Sequence, residues 1–338
     1  MNRMSMVLGL GALSSSAITD AARADMSGSN VLNEVKALFA EGAIVSNPEI
    51  VDCKLSGGTE TQCVAITETG EPVDHQTGLW CPTNVSDSEK AGGIWLENDQ
   101  VYNVDGAFIE NLAIFYDDTV WRLFDPDTGK IRGTDTLDDC QAAARPNVDP
   151  AYTNYCVQCE LDYMGRSTER TYVLPLKPVL NGQPNPVTGN AGTGVALNGV
   201  RLDGAAPKDA ILGARTLAPF DDCGGHINLH VGYHYHAATG CSTEVLADDQ
   251  HAPVIGIAMG GFKLHARLNP DGSSSDDLDA CRGHVSEGLG YHYHANNPDA
   301  NAILPCHAGE TGCTNEGSET ACDATNRPVR RPPPQTEN

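Results

Sequence analysis

The sequence predicts a mainly β fold. A duplicated β unit forms a sandwich-like domain, and a small cysteine-containing β-rich region precedes it. Three observations predict this. The chain has 35 Gly and 20 Pro and only 6% aromatic residues, which favours turn-rich β structure over long helices. The pattern D-x-C-x-G-H-x5-G-Y-H-Y-H occurs twice without insertion, at 221–236 and at 279–294. The block 194–203 matches 256–265, with glycine, alanine, glycine and leucine identical at four positions and four conservative pairs besides. Residues 194–236 and 256–294 are therefore two copies of one unit. Two copies are too few for a solenoid, so the expectation is a pseudo-twofold pair with one core and one central site.

The elements follow in chain order. Residues 1–24 are expected to be a secretory signal: a weakly basic Asn2-Arg3, a short apolar run, and Ala22-Arg23-Ala24 as a cleavage site. The N-terminal region is 25–150. It opens with an expected helix, 30–41, capped by Asn30, with Val31, Val35, Leu38 and Phe39 on one face. Cys53 and Cys63 flank the turn signal Ser56-Gly57-Gly58-Thr59, a hairpin with a cross-strand disulfide. Residues 113–116 and 120–124 flank Asp117-Asp118-Thr119 and predict a second hairpin. A boundary is expected at 145–150, and 172–193 reads as loop-rich. The duplicated domain is 151–322, and 323–338 is an expected disordered Pro/Arg tail.

Twelve cysteines, an even number, together with the signal predict disulfides and an exported protein, periplasmic or extracellular. Cys223 precedes the first histidine pattern and Cys241 follows it; Cys281 and Cys306 bracket the second. That duplication predicts the pairs Cys223–Cys241 and Cys281–Cys306. Structural pairing is also expected of Cys156 and Cys159, because no thioredoxin-like context surrounds them. The formal charge of −24 disfavours nucleic acid and anionic membranes as partners. No stretch is long and apolar enough to span a bilayer.

Tyr-His-Tyr-His alternates, so on a strand His234 and His236 share one face while Tyr233 and Tyr235 share the other. The same holds for His292 and His294 against Tyr291 and Tyr293. Glycines let the chain turn back and bring His226 and His284 to their pairs. A His-x-His strand pair with a remote third histidine suits a transition metal ion, zinc or copper, with a position left open. The candidate ligands are His226, His234, His236, His284, His292 and His294. The bland alternative, buried hydrogen-bonding histidines, fits a lone residue better than six at duplicated positions. His230 faces Gly288 in the second copy and is treated as peripheral. Asp221 and Asp279 either orient ligating histidines or close turns. With Tyr233 and Tyr291 they are the candidate catalytic residues.

Residues 221–241, with D-C-G-G-H and Y-H-Y-H-A-A-T-G-C, resemble the YHYH-domain family of secreted proteins. Residues 256–265 are similar to the segment before that family's second histidine block. There the family usually carries D-G-F, where this chain has Gly260-Gly261-Phe262. The resemblance implies a YHYH domain and an exported location, and it names no reaction. The expectation from the residues is a metal-binding protein, with a metal-dependent hydrolase as the favoured enzyme. The alternatives are a copper-handling or storage protein, a metal-free Tyr/His lyase, or a module binding an extracellular polymer; a small-molecule substrate also fits.

Overall fold

The computed structural model describes residues 28–187, 192–246 and 251–326. The expected signal, 1–24, and most of the expected tail lie outside them. Strands in chain order are Glu49–Lys54 (β1), Glu60–Glu68 (β2), Ile94–Glu97 (β3), Gln100–Asn103 (β4), Arg170–Pro175 (β5) and Leu180–Pro186 (β6). The first copy contributes Gly194–Ala196 (β7), Arg201–Leu202 (β8), Gly225–Asn228 (β9) and Gly232–Tyr235 (β10). The second contributes Val254–Ala258 (β11), Lys263–His265 (β12), Gly283–Ser286 (β13) and Gly290–His294 (β14). Cys306–Gly309 (β15) and Cys313–Glu316 (β16) close the chain. The protein is mainly β, as its composition predicts.

The two copies form one eight-stranded sheet in the order β13-β14-β12-β11-β7-β8-β10-β9. Read outward from the centre, each half repeats the same path. The central pairing is antiparallel, Gly194 to Ala258, Val195 to Ile257 and Ala196 to Gly256. Matched residues of the two copies thus pair across a local twofold. Each half also holds one parallel pair at the same register, His234 to Arg201 and Tyr235 to Leu202 in one, Tyr293 to Leu264 and His294 to His265 in the other.

A four-stranded sheet, β1-β2-β5-β16, packs on the middle of the large one. Alternation decides which side chains meet. Val64 and Ile66 of β2 and Tyr172 and Leu174 of β5 cluster with Val195, Ile257 and Met259 of the large sheet. This is the sandwich interior. The opposite face of the large sheet packs Ala196, Leu202, Tyr233, Tyr235, Leu264 and Tyr293 into a second cluster. Burying a Val, Leu or Ile side chain contributes roughly 1.5–3 kcal/mol, so both faces of the duplicated sheet are fixed by packing.

Strands on either side of 145–150 share a sheet, since β2 pairs with β5, and the disulfide Cys81–Cys156 spans that stretch. All twelve cysteines are paired. The expected pairs Cys53–Cys63, Cys223–Cys241 and Cys281–Cys306 form. Cys156 and Cys159 pair with Cys81 and Cys140 rather than with each other.

Four local expectations are corrected. Residues 28–38 are helical (α1), so Asn30 lies inside the helix and not at its cap. Residues 113–115 lie in the helical turn Leu112–Phe115 (α3), which follows Gly106–Glu110 (α2) and is capped by Tyr116, and not in a hairpin. There Asp105 accepts a hydrogen bond from the Phe108 amide at 2.7 Å, and Ile109 and Leu112 are buried three apart. That cap and spacing outweigh the β propensity of the aromatics. The stretch 172–193 contains β5 and β6; Pro184 and Pro186 are tolerated because β6 pairs on one side only, with β15. Residues 323–326 are placed rather than free. The Ala324 amide donates to Lys54 O at 2.8 Å.

Candidate metal centres

The Tyr-His-Tyr-His segments form β10 and β14, and the predicted alternation holds. His226 pairs across the strands with His234, and His284 with His292. Two groups result. His226, His234 and His236 form one, and His251, His284, His292 and His294 the other. In each group the ligand-type nitrogens lie within 4.8 Å of one another. The expectation of one central site is overturned. β10 and β14 are five strand steps apart in the sheet order, a separation of roughly 24 Å at about 4.8 Å per step. The duplication extends the sheet sideways, which carries matched residues away from the twofold and not toward it.

Backbone carbonyls set the ring orientation identically in both halves. His234 Nδ1 donates to Gly232 O at 2.9 Å and His292 Nδ1 to Gly290 O at 2.9 Å. His236 Nδ1 donates to Gly204 O at 2.6 Å, and His294 Nδ1 to Ala266 O at 3.0 Å. With the proton spent on Nδ1, each Nε2 presents a lone pair. Those lone pairs converge. His234 Nε2 lies 3.1 Å from His236 Nε2. In the second group His292 Nε2 lies 2.9 Å from both His251 Nε2 and His284 Nε2. His294 Nε2 lies 3.2 Å from the same two atoms.

Lone pairs this close repel unless a cation sits among them. A tetrahedral ion with metal–nitrogen distances of 2.0–2.1 Å sets its ligands about 3.3 Å apart, close to the spacing found. The donor set therefore fits a transition ion. Protonation is resisted as well. Burial, with repulsion between neighbouring imidazoles, holds His226 and His234 well below the usual histidine range, and burial lowers His236. Burial likewise brings His265 down to about 4 and His294 to about 3.

The surroundings of the two groups differ. His251 comes from a segment with no aligned partner in the first copy, and the histidine pattern did not flag it. His284 Nδ1 donates to Asp277 Oδ1 at 2.6 Å, the metal–histidine–carboxylate arrangement that raises ligand basicity. His265 is buried beside this group; its Nδ1 donates to Ala252 O at 2.5 Å, while its Nε2 has no hydrogen-bond partner. Its ring centre is 4.6 Å from that of His292. The repeat alignment puts Asp203 where the second copy has His265. Asp203 Oδ2 lies 4.0 Å from His234 Nε2. That alignment was the signal that could have placed both residues at the sites.

Asp221 and Asp279 do not touch the histidines. In each copy one carboxylate oxygen accepts from the amides two and four residues on, closing the turn at 2.8–3.1 Å. The other oxygen accepts from Tyr233 or Tyr291, both at 2.7 Å. The tyrosines therefore lie on the face opposite the histidines, braced by the motif aspartates. Sequence reasoning also missed His75, which reaches that face in the first copy. Its Nδ1 is 2.8 Å from Asp74 Oδ1, and its Nε2 is 3.4 Å from both Tyr233 Oη and Tyr235 Oη.

Fold and site define a disulfide-stapled β protein with a duplicated histidine sheet. Residues 171–276 match the family model described as YHYH protein, and this part of the chain is a YHYH domain. The matched residues run from β5 through β12 and stop before the second histidine pattern. No curated protein and no solved structure matches the chain. No helix among the described residues is long and apolar enough to cross a membrane. Six disulfides are consistent with an exported protein.

Proposed function

We propose that the chain is an exported transition-metal-binding protein, acting in the periplasm or outside the cell, with one ion at each end of the duplicated sheet. The observation that carries this is the convergence of Nε2 lone pairs whose Nδ1 atoms are already tied to backbone carbonyls in both copies. Zinc and copper both suit the imidazole set.

The three-histidine group favours catalysis. His226, His234 and His236 line a cleft of about 830 Å³, within the range that takes small molecules. A zinc-type ion bound there would act as a Lewis acid and lower the pKa of water in an open position. His226, His234 and His236 would hold the ion. Asp203, with Oδ2 4.0 Å from His234 Nε2, would orient water held at that position and accept a proton from it. A metal-dependent hydrolase is the reaction class this arrangement favours. The four-histidine group, with His265 beside it, instead favours storage or copper handling.

A metal-free reading rests on a different observation. Asp74, His75, Tyr233 and Tyr235 are linked on the opposite face, and such a set can move protons as a lyase does. Elemental analysis of protein from its native compartment separates the two. About two ions per chain, with activity lost on chelation and restored by metal, supports the hydrolase reading. Less than one ion per chain, with activity unchanged by chelator, would overturn it in favour of the tyrosine face.

A further inference from the structure

We infer that the cleft over the three-histidine group binds its substrate through a tetrahedral oxyanion group, such as a phosphate or sulfate ester, held by arginines. The inference rests on the three-histidine group being a metal site and names the class of substrate it would take.

The chain has 21 Lys and Arg against 45 Asp and Glu, yet the cations lining this cleft are four arginines, Arg145, Arg166, Arg170 and Arg201, and no lysine. Their position follows from strand alternation. Ile66 and Tyr172 pair inside the sandwich, and two residues further along the same strands Glu68 pairs with Arg170. Val195 pairs with Arg201 on the large sheet, and Arg201 pairs in turn with His234. The apolar interior thus gives way to a buried charged layer, which leads directly to the histidines.

Most carboxylates in this layer are occupied or uncharged. Asp203 accepts from Arg201 at 2.9 Å, and Glu316 pairs with Arg166 at 3.0 Å. Glu68 is fully buried, which pushes its carboxyl up to about 8, and its Oε1 has no hydrogen-bond partner. Arg170 is only 6% exposed, and its Nε has no hydrogen-bond partner. Arg166 and Arg170 both donate to His230 O, at 2.7 and 3.1 Å, which brings the two guanidinium groups to one acceptor. A planar fork of donors matches two oxygens of one oxyanion. An anionic ester seated here would place its central atom between the arginines and the histidine nitrogens.

The test is calorimetric titration of zinc-loaded full-length protein with inorganic phosphate and with sulfate, at fixed ionic strength, with metal content measured on the same sample. Arg170→Gln is the direct variant. Arg166→Gln, at a side chain one-third exposed, is the one expected to keep the fold. Each should weaken oxyanion binding roughly ten- to a hundred-fold. Equal affinity in wild type and Arg166→Gln, or no binding by protein that holds its full metal, would overturn the inference and leave the metal reading intact. Arginine-dependent binding by protein that takes up neither zinc nor copper at the three-histidine group would remove the metal reading and leave an arginine-held anion site in its place.

Discussion

The two copies of the duplicated unit share every motif residue and differ in almost everything around it. His226, His234 and His236 superpose in register on His284, His292 and His294, and the carbonyls that orient them are the same two. Yet Arg201 is 1% exposed beneath the small sheet, while its counterpart Lys263 is exposed. Asp203 stands where the other half has His265. The second half gains His251; the first opens onto the arginine cleft. The repeated motif converges donors, and the unrepeated neighbours decide whether those donors face a cleft or are joined by a further histidine.

The largest effect that would break this comparison is loss of an ion. His234→Ala with His236→Ala should remove one equivalent of metal per chain and leave the other, and His292→Ala with His294→Ala should do the converse. Plasma emission spectrometry after dialysis reads this directly; loss of both ions from one double variant would mean a single shared site. Under a limiting chelator the four-histidine end should lose its ion last. Asp277→Asn should weaken that end roughly 10- to 100-fold, as outer-shell carboxylates do, without touching the other.

Proton uptake comes next. The folded histidines sit below the unfolded value of about 6.5, at about 4 for His265 and about 3 for His294. Below pH 6.5 the unfolded chain binds protons that the folded one does not. Stability of the metal-free protein is therefore kept above that pH and lost as pH falls toward 4. Each such histidine contributes a slope of up to about 1.4 kcal/mol per pH unit. Urea midpoints at pH 7, 5.5 and 4.5 should fall in that order, and a flat profile would contradict the buried neutral rings. Bound metal should shift the loss to lower pH.

The staples are expected to matter less. Removing Cys223–Cys241, which closes an 18-residue separation, should cost about 3 kcal/mol, and removing Cys281–Cys306 about as much. Markedly unequal costs would break the equivalence of the two stapled loops. The smallest contrast is between the tyrosines. Tyr233→Phe removes one of four hydrogen bonds to the carboxylate of Asp221, which is 1% exposed, and should cost about 1–3 kcal/mol. Tyr291→Phe leaves Asp279 exposed to water and should cost under about 1 kcal/mol. Thermal or urea unfolding of the pair measures the difference.

Periodicity and repetition made much of this legible. Alternation in Tyr-His-Tyr-His separated the histidine face from the tyrosine face, because strand geometry is local. Duplicated bracketing paired four cysteines correctly, because each staple closes a short loop within its own copy. Local cues failed where capping and burial outweighed propensity, as at 113–116. His251, His75, Arg166 and Arg170 carry no repeat and lie far along the chain from the residues they meet. Only the tertiary structure decided that the copies join edge to edge in one sheet and that their histidines stand apart. It alone set a second sheet's charged end over one of them, because strand pairing and sandwich packing are contacts between distant segments whose partners no local pattern names.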